Sequence, residues 1–207
     1  MTLQATFWRG DAPLILASGS TTRRQLLEAA RLPVEMIRPD VDERAIEADF
    51  LAMGGPHAGI AAALAEAKAL SVSPKHPRRI VLSADQMLIC EGHPFHKPEN
   101  AAAAERQLAR LAGREHELTS AFALARDGRI IGHGASSATL TMRPLTPGFI
   151  KEYVALAGEA ATSSVGSYQL EGLGIHLFET IEGDHSTILG LPMLSLLAAL
   201  RRLDLVA

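Results

Sequence analysis

One carboxylate stands out by its setting. Asp85 lies within IVLSADQMLIC, a run that is apolar on both sides of Ser83-Ala84-Asp85-Gln86. An ionised carboxylate in such a strand is costly unless a cation, a metal or an open strand end meets it. Asp85 is therefore either a working acid or base, or the cap of a bulge. Upstream, Ser18-Gly19-Ser20-Thr21-Thr22-Arg23-Arg24 sits where an apolar run gives way to helical spacing. Unpaired N–H groups, hydroxyls and guanidinium groups can converge there on one anion. The plainer reading is a helix cap at Ser20 followed by solvated arginines. The segment is neither a Walker loop nor a GxGxxG fingerprint.

Glu43 closes the acidic stretch Pro39-Asp40-Val41-Asp42-Glu43. On spacing alone this is an exposed acidic turn. Paired with Asp85, Glu43 would offer two oxygen ligands to a hard cation, as Mg²⁺ enzymes do with one or two carboxylates plus substrate phosphates. Lys68, near the end of an alanine-rich helical segment, and Lys97, in the loop after the Asp85 strand, can neutralise phosphate oxygens or simply keep the chain soluble. The eight histidines form no HExxH pattern and have no cysteine partners, so a zinc site is not expected. His96, beside Lys97, reads as a loop residue.

These residues need a frame. Leu14 to Ala17 reads as a short strand entering a turn, and TTRRQLLEAARL as a helix with apolar residues at helical spacing, stopped by Pro33. VEMIRPDVDE reads as a second strand running into the acidic loop. A second helix is expected from Pro56 to Leu70. The Asp85 run suits a strand buried between layers. EGHPFHKPEN reads as a loop, AAAAERQLARLAG as a helix stopping at Gly113. Asp127-Gly128 between two strand-like runs is the strongest hairpin signal in the chain. Thr146-Pro147 opens a helix, GSYQLEGLG is a loop, IHLFETIEG a strand, and Leu191 to Leu203 a closing helix. Alternation in the first half with a hairpin in the second indicates an α/β fold on a mixed sheet.

Composition narrows the class. Over 207 residues, 47% hydrophobic and 21% charged content describes an ordinary globular chain. One compact domain over 1–207 is expected, with 1–12 as a flexible N-terminal extension. A net charge of -3 and 4% aromatic residues disfavour a footprint for polymeric nucleic acid. A small anion needs only a local basic pocket. The single cysteine, Cys90, allows no internal disulfide and reads as core. No secretory signal and no membrane-length apolar run is seen, which makes the cytoplasm the default location.

Taken in order from about Leu14 to Leu200, LILASGSTTRRQLLEAA, the DVDE turn, AEAKA, VLSADQ, HKPEN, LAGREHELTSA and GSYQLEGLGIHLFETIEGDHSTILGLPMLSL resemble the Maf family of nucleoside triphosphate pyrophosphatases. The resemblance implies the Maf/ITPase-like α/β fold, an elongated mixed sheet with helices around a central cleft, often in homodimers. It implies hydrolysis of a nucleotide to the monophosphate and pyrophosphate with Mg²⁺ or Mn²⁺. By the same resemblance Asp85 is the catalytic aspartate and, with Glu43, a metal ligand. Ser18, Arg23, Lys68 and Lys97 fall on phosphate-binding positions. Thr22, Gln86 and Glu171 fall on positions that separate the family's branches.

Arg, Thr and Gln are typical at those three positions in the branch preferring dTTP and UTP. Gln86 and Glu171 resemble the branch acting on 7-methyl-GTP, although that branch usually carries Trp where Thr22 stands. Thr21-Thr22 replaces the usual Pro-Arg or Pro-Trp, and Ser83 replaces a common glycine, a change expected to alter packing only. Two alternatives accompany this reading: a dTTP/UTP pyrophosphatase of the same family, and a non-catalytic nucleotide-binding regulator of cell division.

Overall fold

A computed structural model of the chain describes residues 7–207. In chain order, β1 (Leu14–Leu16), α1 (Thr21–Ala29) and β2 (Val34–Met36) are followed by α2 (Glu43–Ala52), α3 (Ile60–Val72) and β3 (Val81–Cys90). Next come β4 (His93–Phe95), α4 (Ala101–Leu111), β5 (Glu115–Arg126) and β6 (Arg129–Met142). The chain finishes with α5 (Pro147–Ala157), α6 (Ala160–Ser163), β7 (Phe178–Glu182), α7 (His185–Ile188) and α8 (Met193–Arg202). The strands form a seven-stranded sheet of order β2-β1-β3-β5-β6-β7, with β4 paired to β3. β1 runs parallel to β2 and β3, whereas β4 is antiparallel to β3 and β7 to β6. The mixed α/β architecture is the one expected from the alternation of elements. No helix is long and apolar enough to cross a membrane.

Local chemistry sets most boundaries. Ser20 caps α1 by accepting from the Arg23 amide at 3.2 Å, and Thr146 caps α5 with Pro147 at its first turn. Asp127 and Gly128 take φ of 52° and 74° between β5 and β6, the left-handed pair that a two-residue hairpin demands. Four elements were not expected: α2, β4 and the short helices α6 and α7. α2 occupies what reads as an acidic loop: Asp42 accepts from the Ala45 amide at 3.0 Å, making it an N-cap, and Glu43 is the first helical residue. α2 buries no side chain fully, so its apolar periodicity is weak. β4 lies inside the expected loop EGHPFHKPEN and is held by pairing with Leu88–Cys90.

The chain comprises two compact units, one of Met1–Asp85, Ser120–Ser136 and Gly190–Ala207, the other of Gln86–Thr119 and Ser137–Leu189. In the first, β1 is buried on both faces. Leu14 and Leu16 pack with Leu27, Leu196 and Leu200, while Ile15 and Ala17 pack with Ala65, Ala69 and Val72. This explains its continuous apolar run. The extension expected over 1–12 lies outside the described residues in its first six positions. Its remainder is tied down, since Trp8 bridges to Val206 and donates to the Ala12 carbonyl at 3.0 Å.

The second unit has its own core around Leu88, Leu108, Leu118, Leu140 and Tyr153, with Cys90 buried in it. His116 is buried there too, its Nε2 sharing a 2.8 Å hydrogen bond with the Tyr168 hydroxyl while Nδ1 has no hydrogen-bond partner among the described residues. Burial lowers the imidazole from 6.5 to about 4. The unfolded chain therefore binds the extra proton between those values, and stability falls as the pH drops through that window. Between pH 7.5 and 5.0 the protein is expected to lose about 2 kcal/mol that a His116→Gln variant keeps. Urea denaturation at both pH values measures this; equal losses in the two proteins would refute it.

Candidate functional site

Strand alternation and helical spacing place the chemistry of the first unit. Val81, Ser83 and Asp85 share one face of β3, since strand side chains alternate. Val81 belongs to the cluster containing Ala65, Ala69 and Val72 of α3. Lys68 lies on that same helical stripe and is itself buried. Its ammonium contacts Asp85 Oδ2 and, at 2.7 Å, Glu43 Oε1 from the start of α2. The Asp85 side chain is 14% exposed and that of Glu43 57%, giving an inner and an outer carboxylate around one cation. Lys68 thus supplies the compensating charge that an acid in an apolar strand requires.

Arg23 provides a second positive charge. Its Nε donates to the Gly190 carbonyl at 2.8 Å, and its Nη1 to the Ala84 carbonyl at 2.7 Å and to Ser18 Oγ at 3.3 Å. Burial lowers the pKa of this guanidinium, and the charges of Asp85 and Glu43 act in the opposite sense. Ser18 also accepts from the Ser20 amide at 3.2 Å, so its hydroxyl organises the turn between β1 and α1. Gly190 adopts φ 93°, and a Cβ there would come within 3.3 Å of the Arg23 side chain. Glycine lets the backbone carbonyl approach the guanidinium. Ser18, Arg23, Glu43, Lys68 and Asp85 are thus linked through contacts within one unit, with Thr22 half-buried beside Arg23.

Gln86, Lys97 and Glu171 belong to the second unit. Gln86 Nε2 donates to the carbonyls of Thr187 and Ile188 at 3.1 and 2.9 Å. Two acceptors on one side fix the amide, leaving its oxygen facing the other way. Lys97 is exposed, as is Glu171. The loop bearing Glu171 is strapped down. Tyr153 donates to the Ser167 carbonyl at 3.3 Å, Ser164 to the Tyr168 carbonyl at 2.6 Å, and the Gly172 and Gly174 amides both donate to the Gln169 carbonyl at 3.2 Å.

The arrangement suits a hard divalent ion. The Asp85 and Glu43 oxygens converge on a single point, now held by the Lys68 ammonium. No group of three or more His, Cys, Asp or Glu ligands occurs among the described residues. Two carboxylates fit an ion that completes its shell with water and phosphate oxygens, as Mg²⁺ does, rather than one needing an all-protein cage.

Sequence reasoning missed three features of these sites: the two carbonyls clamped by Arg23, the carbonyl pair that orients Gln86, and a hydrogen bond from Ser83 to Ala65. Gly190 was the only local signal, and its partner Arg23 lies 167 residues away.

The profile of the family described as Maf-like protein matches residues 13–203. A Rhodopseudomonas palustris (strain ATCC BAA-98 / CGA009) protein named nucleoside triphosphate pyrophosphatase is 50% identical over 203 residues, covering 98% of this chain and 99% of its own length. A Mesorhizobium japonicum protein named 7-methyl-GTP pyrophosphatase is 49% identical over 193 residues, covering 93% and 97%. Among solved structures, the Staphylococcus aureus Ham1 protein overlaps with TM-score 0.46 at 13% identity, covering 89% of this chain and 83% of that one.

Removing the shared cation should expose how much the cluster depends on it. Lys68→Met leaves the inner carboxylate buried without its partner and is expected to cost about 3 kcal/mol in chemical denaturation. Lys68→Met/Asp85→Asn should regain at least about 1 kcal/mol of that loss. A single variant as stable as the parent would show that solvent already compensates Asp85.

Proposed function

The chain belongs to the Maf-like protein family, and from that premise we propose that it hydrolyses nucleoside triphosphates at the α-phosphorus, releasing the monophosphate and pyrophosphate. The observation that carries the reading is the Lys68 ammonium held between Asp85 and Glu43, with the Arg23 guanidinium linked to the same strand. This reaction needs an ionised carboxylate near the attacking water and fixed positive charge where phosphate oxygens gain negative charge. Near-full-length relatives carrying the pyrophosphatase name support it.

Asp85 and Glu43 are the residues that would hold Mg²⁺ or Mn²⁺. Such an ion, when bound, screens the phosphate oxygens and acidifies a coordinated water. Lys68, with a flexible four-carbon stem, can turn its ammonium from the carboxylates to a phosphate oxygen. Ser18 and Arg23 shape the turn at the head of α1, where the positive end of a helix favours an anion. Lys97 falls on a phosphate-binding position by the family resemblance alone. Asp85 accepts the proton of the attacking water or would serve chiefly as a ligand to the ion; both roles use its carboxylate.

For the base, we propose 7-methylguanine. A carboxylate at Glu171 accepts from the guanine N1–H and N2–H donors, and N7 methylation adds a positive charge that it also favours. Gln86, a specificity position by the same resemblance, has its amide nitrogen held by the Thr187 and Ile188 carbonyls. Thymine and uracil offer one N3–H between two carbonyl oxygens, which a carboxylate repels. A charge-assisted hydrogen bond of about 1.5–3 kcal/mol gives roughly tenfold to hundredfold discrimination.

Two measurements test these statements. In a pyrophosphatase-free preparation, a chelator should abolish pyrophosphate release and Mg²⁺ or Mn²⁺ restore it, while Asp85→Asn lowers turnover at least about a hundredfold with the fold intact. Orthophosphate as the primary product, or an active Asp85→Asn, would overturn the mechanism. In a substrate panel, 7-methyl-GTP should show a higher kcat/KM than dTTP or UTP, and Glu171→Gln should narrow the gap. A clear preference for dTTP or UTP would replace the base assignment and leave the hydrolysis standing. No turnover of any nucleotide would favour the regulatory alternative.

A further inference from the structure

Ser83 donates a hydrogen bond to the Ala65 carbonyl of α3 and is fully buried. It stands two residues before Asp85 on the same face of β3, and Ala65 stands three residues before Lys68 on the facing stripe of α3. The hydroxyl link and the Lys68–Asp85 contact therefore join the same two surfaces. They lie within one strand repeat, about 7 Å, and one helical turn, about 5 Å.

The surrounding packing gives this link leverage. On this side α3 presents Ala65, Ala69 and, one turn further from the charged contact, Val72, and the sheet presents Ile15, Ala17, Val81, Ala123 and Ala125. Alanine methyl groups allow a close approach but form shallow ridges, which resist sliding poorly. A directional hydrogen bond supplies what such a surface lacks. The Ala65 carbonyl already accepts from the amide four residues on in the helix, and its second lone pair is free to take the Ser83 hydroxyl without breaking the helix ladder.

We propose that Ser83 is a positioning residue for the reaction: it fixes α3 against β3 so that the Lys68 ammonium meets the Asp85 carboxylate. It touches neither substrate nor the reacting atoms, and it acts through Lys68. The inference rests on the pyrophosphatase reading only for its kinetic consequence; the placement of Lys68 can be tested without any substrate.

The experiment compares Ser83→Ala with Ser73→Ala. Ser73 is equally buried, at the far end of α3, and accepts from the Gly128 amide at 3.1 Å, so its loss serves as a structural control. Each variant should lower Tm by a few degrees, as expected for one lost hydrogen bond. In ¹⁵N-lysine-labelled protein, the ammonium resonance of Lys68, assigned by its loss in Lys68→Met, should be protected from solvent exchange in the parent and in Ser73→Ala. It should broaden or vanish in Ser83→Ala. With nucleotide and Mg²⁺, Ser83→Ala should lower kcat about tenfold with KM within about twofold, and Ser73→Ala should leave both unchanged. A Lys68 resonance and kcat that survive Ser83→Ala, or that respond equally to both variants, would reduce Ser83 to ordinary packing. If the parent hydrolyses nothing, the functional reading fails and the resonance alone still decides the role of Ser83.

Discussion

The first unit is organised around an acid placed where an acid is least welcome. β3 is buried on both faces, and Asp85 interrupts it with a carboxylate whose desolvation must be met from within the protein. Lys68 meets it, and because Lys68 is also buried its own charge needs company, which Glu43 and Asp85 share. The positions of α2 and α3 follow from this, since one supplies the outer carboxylate and the other the ammonium. A buried ion pair of this kind is a poor source of net stability, because desolvation offsets most of the attraction.

Charge balance links the cluster to its ligand. Asp85 and Glu43 carry two negative charges, and Lys68 and Arg23 two positive ones. A triphosphate brings several more negative charges, which this neutral set cannot absorb without a further cation. In the proposed reaction a divalent ion would be that cation. Arg23 is the fixed member. Bonds to the Gly190 and Ala84 carbonyls and to Ser18 hold its guanidinium in place, so it contributes a constant field, whereas Lys68 can change partners. The net charge of -3 for the whole chain is no obstacle, since the relevant positive charge is local.

What could be read from the sequence follows the range of the interaction concerned. The Asp127-Gly128 turn, the Thr146-Pro147 helix start and the Asp85 strand were legible because each is decided by neighbouring residues. α2 was not: none of its side chains is fully buried, so the marks it leaves are the Asp42 cap and partly buried Ile46, Phe50 and Leu51. β4 was hidden for a different reason, since three residues including a proline acquire strand character only by pairing with β3. At the site, residue types were legible and partners were not. Nothing near Arg23 in the sequence announces Gly190, and nothing near Ser83 announces Ala65. Ser83 was read as packing alone because a serine for a glycine changes little unless an acceptor faces it.

The second unit solves a complementary problem, that of giving an exposed carboxylate a fixed address. Glu171 lies on a surface loop, and such a loop would ordinarily spend binding energy on becoming ordered. Here the ordering is already done. Ser167, at φ 60°, is held in a strained left-handed conformation between Tyr153, which donates to its carbonyl, and Tyr168, which reaches the buried His116. The Gln169 carbonyl is gripped by two glycine amides, and a Cβ at Gly174 would come within 2.4 Å of that oxygen, so only glycine permits the grip. The low pKa of His116 follows from the same construction, because a dry aromatic anchor cannot also solvate a proton. A buried His-Tyr pair that costs acid stability thereby anchors the loop that carries Glu171.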